Sequence, residues 1–130
     1  MTVNASPGTA PRPDVFNAHC PSRAILELLA EKWALLIVHT LSGGPLRTAE
    51  LRRAVGGISE KMLIQTLRRL EQHGFVLRRA YAEVPPRVEY ALTPLGASLS
   101  EPIRALDTWV ERHLGEVEAA RRAFERRART

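Results

Sequence analysis

Glycine and proline divide the middle of this chain into short pieces, and that punctuation constrains the fold more than any other feature. Ser42-Gly43-Gly44-Pro45, Gly56-Gly57, Gly74, Pro85-Pro86 and Thr93-Pro94 each end or begin a segment, because glycine closes helices and proline cannot continue them. Cys20-Pro21 reads as a helix start, since proline suits the first helical position, and Ile25, Leu28 and Leu29 then share one helical face. Lys32 to Leu41 is apolar around most of its circumference (Trp33, Leu35, Leu36, Ile37, Leu41), as a central core helix is. Thr48 is placed to cap a short third helix with Leu51 and Val55 inward, and Ser59 to cap a fourth from Glu60 to His73. Two helices joined by about three residues containing glycine form a helix-turn-helix pattern. Phe75–Tyr81 and Arg87–Leu92 are β-rich and flank Ala82-Glu83-Val84-Pro85-Pro86, which predicts a hairpin with a proline-stiffened tip. Thr93-Pro94 opens a last helical segment that Pro102 is expected to kink or restart. The predicted fold is mainly α with a small β-hairpin, a winged helix-turn-helix with flanking N- and C-terminal dimerisation helices.

At 130 residues and 14.5 kDa the chain suffices for one such domain, not two full cores. Residues 1–18, rich in Pro, Gly, Ala, Ser and Thr, are expected to form a disordered arm, and residues 19–130 the domain. No apolar run approaches the ~20 residues of a membrane span, and MTVNASPGTAPRPD lacks the basic and apolar regions of a secretory signal. A single cysteine, Cys20, excludes an internal disulfide framework. The expected location is the cytoplasm, without a membrane partner.

The net charge of +5 is concentrated in one place. From Arg47 to Arg87 there are nine basic and four acidic residues, while the rest of the chain balances. An excess of this kind fits a surface that meets phosphates. With Leu63 at the centre of the inner face of the fourth helix, Leu67 and Leu70 lie near it, and Lys61, Gln65, Arg68 and Gln72 lie near the opposite pole. Arg69 and Met62 flank them, and the acids Glu60 and Glu71 stand only at the two ends. Arginine or lysine for guanine edges and phosphates, with glutamine for adenine, is what a helix in the major groove of double-stranded DNA requires. Arg87, after the two prolines, projects from the hairpin tip toward minor groove or phosphate, or pairs with Glu83 or Glu89. The expected DNA-facing set is Thr48, Ser59, Lys61, Met62, Gln65, Arg68, Arg69 and Arg87. A winged helix used only for protein contact is the alternative, against which the acid-free centre of the fourth helix and the charge in the wing argue.

The matching stretches Cys20-Pro21, Lys32-Trp33, Glu50-Leu51-Arg52-Arg53, Gly57-Ile58-Ser59-Glu60-Lys61-Met62-Leu63, Tyr81-Ala82-Glu83-Val84-Pro85-Pro86-Arg87-Val88-Glu89-Tyr90 and Thr93-Pro94-Leu95-Gly96 closely resemble the HxlR-type regulators. These are a MarR-like winged-helix family of bacterial and archaeal transcription factors, and the resemblance runs from Cys20 to about Trp109. It implies a homodimer on a palindromic operator, with the recognition helix at Ser59–His73 and the wing at Tyr81–Arg87; the expected function is that of a sequence-specific DNA-binding transcriptional regulator, a repressor. It also implies that some members sense electrophiles, oxidants or aldehydes through the N-terminal cysteine, here Cys20. Two residues depart from the family pattern: Glu31 replaces a glycine before Lys32-Trp33, and Ala49 replaces an asparagine. The second bears on one phosphate contact of the third helix, not on the function.

Cys20 at a helix start, with Arg23 one turn on, is placed to favour thiolate; read as a packing residue, it merely caps the first helix. No enzyme is expected. His19 and Cys20 lack a positioned third group, and His39, His73 and His113 fall on three helices without metal-ligand spacing. No cofactor or metal is therefore called for. Along the last helix Leu99, Ile103, Leu106, Val110, His113, Val117, Ala120 and Phe124 recur in steps of four and three, the spacing of a coiled-coil seam. Ile25, Ile103, Leu106, Val110 and Val117 are the expected dimer contacts.

Overall fold

The structure, a computed structural model, describes residues 12–129. Its elements are α1 (Pro21–Leu29), α2 (Lys32–Leu41), β1 (Leu46–Arg47), α3 (Thr48–Ala54), α4 (Glu60–Gln72), β2 (Val76–Tyr81), β3 (Arg87–Leu92), α5 (Pro94–Ala97) and α6 (Ser100–Ala128). This is the winged helix-turn-helix order that the glycine and proline pattern predicts.

The core forms where α2 meets α4. From α2 it takes Ala34, Ile37, Val38 and Leu41, and from α4 Leu63, Leu67 and Leu70, with Leu51, Val55 and Ile58 closing one side. Each buried leucine contributes about 1.5–3 kcal/mol relative to exposure. Thr66, the one polar residue buried among the described residues, donates its hydroxyl proton to the Met62 carbonyl at 2.8 Å and so leaves no unsatisfied group.

Both ends of α4 are closed by local chemistry. At the start, the Ser59 hydroxyl accepts from the Met62 amide at 3.1 Å. At the other end Gly74 takes φ +80°, a value that suits glycine. The Phe75 amide then donates to Leu70 O at 3.0 Å and the Gly74 amide to Glu71 O at 3.0 Å, a Schellman closure. Leu70 and Phe75 are both buried, so the turn that ends α4 also aims the chain into the wing.

The wing is a three-stranded antiparallel sheet in the order β1-β3-β2. Its hairpin pairs Val76 with Leu92 at the base and Tyr81 with Arg87 at the tip, where the Val84–Pro85 peptide is cis. β1 adds only Leu46 and Arg47, opposite Tyr90 and Glu89.

Three expectations change. Arg47, not Thr48, is the N-cap of α3, because the Glu50 carboxylate reaches back to the Arg47 amide at 2.8 Å and Thr48 is already helical. Pro102 neither kinks nor restarts α6. It lies in the first turn, where a missing N–H costs no helical hydrogen bond, and the break between α5 and α6 falls earlier, at Ser98-Leu99. Ile103 is only 8% exposed and belongs to the chain's own core, so it leaves the expected dimer set. The expected arm over residues 1–18 lies outside the described residues as far as residue 11. Beyond that, the Asn17 amide donates to Asp14 O at 3.2 Å, the Cys20 amide to Asn17 O at 3.0 Å and the Asp14 amide to Ser22 Oγ at 3.1 Å, turns that lead into α1.

α5 docks through Thr93, whose hydroxyl accepts from the Gly96 amide at 3.0 Å and donates to Gly74 O. Gly96 is buried so closely that a Cβ there would lie 2.0 Å from Phe75 O. Gly96→Ala is therefore expected to destabilise the fold by about 1–3 kcal/mol. Urea unfolding monitored by circular dichroism measures this, and an unchanged midpoint would show that the Phe75 turn yields freely.

Candidate nucleic-acid interface

Because Leu63, Leu67 and Leu70 face α2, the 3.6-residue period leaves Lys61, Gln65, Arg68 and Gln72 pointing out, and all four are exposed. Lys61 and Arg68 make no ion pair among the described residues. Met62 is also at the surface, lining a groove with Trp33, Gln65, Arg68, Arg69 and Gln72. Ser59 caps the helix from an exposed position, and Thr48 is half-buried at the start of α3.

Two expected site arginines are committed within the chain. Arg69 forms a two-pronged pair with Glu31, Nη1 donating to Oε1 at 2.9 Å and Nη2 to Oε2. The Arg69 hydrogen bond holds the Glu31 carboxyl below its usual range, against a smaller opposing effect of burial. The pairing correspondingly raises Arg69. Arg87 stacks over the Tyr81 ring at 4.0 Å and lies 3.2 Å from Glu83 and 3.8 Å from Glu89. The wing arginine thus takes the paired arrangement, its charge offset by two carboxylates.

Other cations were not singled out by sequence. Arg52 and Arg53 on α3 are exposed and line a groove with Thr48, Gly57, Ile58 and Glu60 at the start of α4. Arg47 lies beside the wing tip, in a groove with Thr48, Pro86 and Arg87. Arg78 shares a groove with Arg68 and Glu71. The central charge excess signals all of these, but only along the fourth helix does the apolar spacing isolate an outward face.

Cys20 is the N-cap residue of α1, half-buried, with Sγ 3.0 Å from Ser22 Oγ. The Ser22 hydroxyl, then the backbone at Asp14 and Ser22, lowers the thiol pKa against burial and the Asp14 charge. Arg23 does not do this, contrary to expectation: its guanidinium turns to Val15 O, Phe16 O and Glu27. No group of three or more metal-ligating side chains forms among the described residues.

A helix pair with a polar, cation-bearing outer face, joined to a three-stranded wing, defines a winged helix-turn-helix of the DNA-binding transcription-regulator class. The chain belongs to the HxlR-like helix-turn-helix family, which it matches over residues 28–118. It is 50% identical over 108 residues to the HTH-type transcriptional regulator YtfH of Escherichia coli K12, covering 83% of this chain and 86% of that protein. The solved structure of ytfH from Salmonella typhimurium is 46% identical with a TM-score of 0.79, covering 85% of this chain and 99% of that one. Reduced YodB of Bacillus subtilis is 35% identical with a TM-score of 0.63, covering 72% of this chain and 92% of that one, and YodB has also been solved after diamide treatment.

Iodoacetamide labelling of Cys20 across a pH series should show a midpoint lowered from that of a free cysteine. Ser22→Ala should move it upward, since the hydroxyl is the largest cause of the lowering. An ordinary midpoint unaffected by Ser22→Ala contradicts this assignment.

Proposed function

We propose that this protein is a sequence-specific repressor that binds a palindromic operator in double-stranded DNA as a homodimer, with α4 in the major groove. The observation that carries the reading is the outer face of α4, where Lys61, Gln65 and Arg68 are exposed and no acid interrupts the centre. Gln65 and Arg68 read base edges, Lys61 and the arginines of α3 hold phosphate, and the wing supports the flank. A titration of a labelled duplex from the protein's own promoter region should show affinity falling steeply with salt. Gln65→Ala and Arg68→Ala should each reduce discrimination by ~1–3 kcal/mol. A flat salt response, or variants that bind like wild type, puts protein contact ahead as the function.

The dimer reading is supported by α6, where Leu106, Trp109, Val110, Leu114, Val117 and Phe124 are all exposed along one helix. Phe124 is 63% exposed, and an apolar stripe left open on a long helix is a surface for association. With Ile25 it forms the contact that sets two recognition helices about one DNA turn, ~34 Å, apart. Val110→Glu is expected to give monomers in sedimentation while wild type sediments as a dimer at micromolar concentration. A monomeric wild type refutes the reading.

The regulator responds to small electrophiles or oxidants through Cys20. The reading is supported by the lowered thiol pKa and by similarity to YodB, solved in reduced and diamide-treated forms. Treatment with a quinone, aldehyde or disulfide should change operator affinity in wild type and not in Cys20→Ser. An equal response in both assigns Cys20 a packing role.

A further inference from the structure

We propose that Glu31 sets the strength of DNA binding by withholding Arg69 from the cations that meet phosphate. The proposal rests on the reading of α4 as the DNA-contacting helix and names a tuning residue outside it. Glu31 is the N-cap residue of α2, yet its carboxylate makes no capping hydrogen bond there. Instead it reaches across 38 residues of sequence to α4 and takes both terminal nitrogens of Arg69. A planar fork on a carboxylate holds the guanidinium in one orientation as well as offsetting its charge.

The place of Arg69 makes that restraint matter. It stands on the flank of the outer face, on one groove with Gln65 and Gln72. Phosphates line both walls of the major groove, so a cation at the flank of a recognition helix is where a backbone contact forms. Both side chains of the pair are 42% exposed. At that exposure an ion pair adds little to stability, because water and salt screen it. Its larger consequence is for charge: one of the nine cations of the basic segment is neutralised by an acid brought in from α2. The anchor is firm, since Leu28 and Ala34, three residues to either side of Glu31, are buried.

Three full-length variants, Glu31→Gln, Arg69→Ala and the double substitution, test this with a fluorescein-labelled duplex from the protein's own promoter region across 50–200 mM salt. Freeing Arg69 adds about one phosphate contact, which steepens the slope of log K against log salt by ~0.9. Glu31→Gln should therefore bind more tightly at low salt and lose about 3-fold more affinity than wild type across that range. Arg69→Ala leaves Glu31 unpaired and should bind no more tightly than wild type, and Glu31→Gln should gain clearly less once Arg69 is alanine. Thermal melting of each variant shows that the fold is retained, with Glu31→Ala as a second release of Arg69.

An unchanged slope in Glu31→Gln while wild type binds overturns the proposal alone. So does an equal gain in the Arg69→Ala background, which would make Glu31 a direct repulsive charge, and so does weaker binding by Glu31→Gln. Absence of wild-type binding to any duplex overturns the DNA-binding reading, and this proposal with it.

Discussion

The seating of Leu63, Leu67 and Leu70 on α2 decides which side of α4 the rest of the molecule can use. A helix has one rotation about its axis, and three fully buried leucines spaced four and three residues apart fix it. Rotating α4 to bring Arg69 to the outer pole would draw those side chains out of the core at about 2–5 kcal/mol each, judged from leucine truncation. The outer face is therefore a consequence of the inner one. Ser59 fixes where the helix starts, Gly74 where it stops, and the close approach of Gly96 to Phe75 pins the segment just beyond that stop.

Those local devices explain how much the sequence reveals. Pro21 at the start of α1, Ser59 at the cap of α4 and Gly74 at its end each act within a few residues of themselves. Reading them needs no knowledge of the rest of the fold. β1 has no such signal, because two residues become a strand only when β3 lies beside them. The cap of α3 is hidden for a related reason: Thr48 has the right side chain, but Glu50 caps the Arg47 amide from within the helix. Along α6 the spacing of four and three identifies an apolar face but not where it passes from intramolecular to exposed. Ile103 falls on the first side of that boundary and Leu106 on the second. Glu31 stood out as a departure from the family pattern, yet its partner lies 38 residues away and only the folded chain brings them together.

The wing shows how the same charge changes meaning with its neighbours. Arg87 alone at a stiff hairpin tip would be a free cation. In the fold it is stacked on Tyr81 and set between Glu83 and Glu89, with its Nε buried and without a hydrogen-bond partner. The stack and the two carboxylates orient the side chain and lower its net contribution to the field around the tip. On the DNA-binding reading, the wing's part in affinity then depends on its shape and backbone as much as on its charge.

With Arg69 and Arg87 both paired, the remaining cations of the segment are Arg47, Arg52, Arg53, Lys61, Arg68, Arg78 and Arg79. Neighbouring residues of a strand point to opposite faces. Arg78 shares a groove with Arg68, so Arg79 is turned away from it. What is left beside the outer face of α4 is carried by α3, by its cap, by α4 itself and by one side of β2. On the DNA-binding reading, phosphate attraction then comes from elements anchored in the core, through Leu51 for α3 and Leu63, Leu67 and Leu70 for α4. Cations on anchored elements lose less freedom on binding than cations on a mobile loop or tail, and that entropy is part of what association must overcome. The two paired arginines add geometry in place of charge. On the same reading, such a surface gains less nonspecific attraction from those two arginines and leaves more of the discrimination to Gln65 and Arg68, the side chains proposed to address the bases.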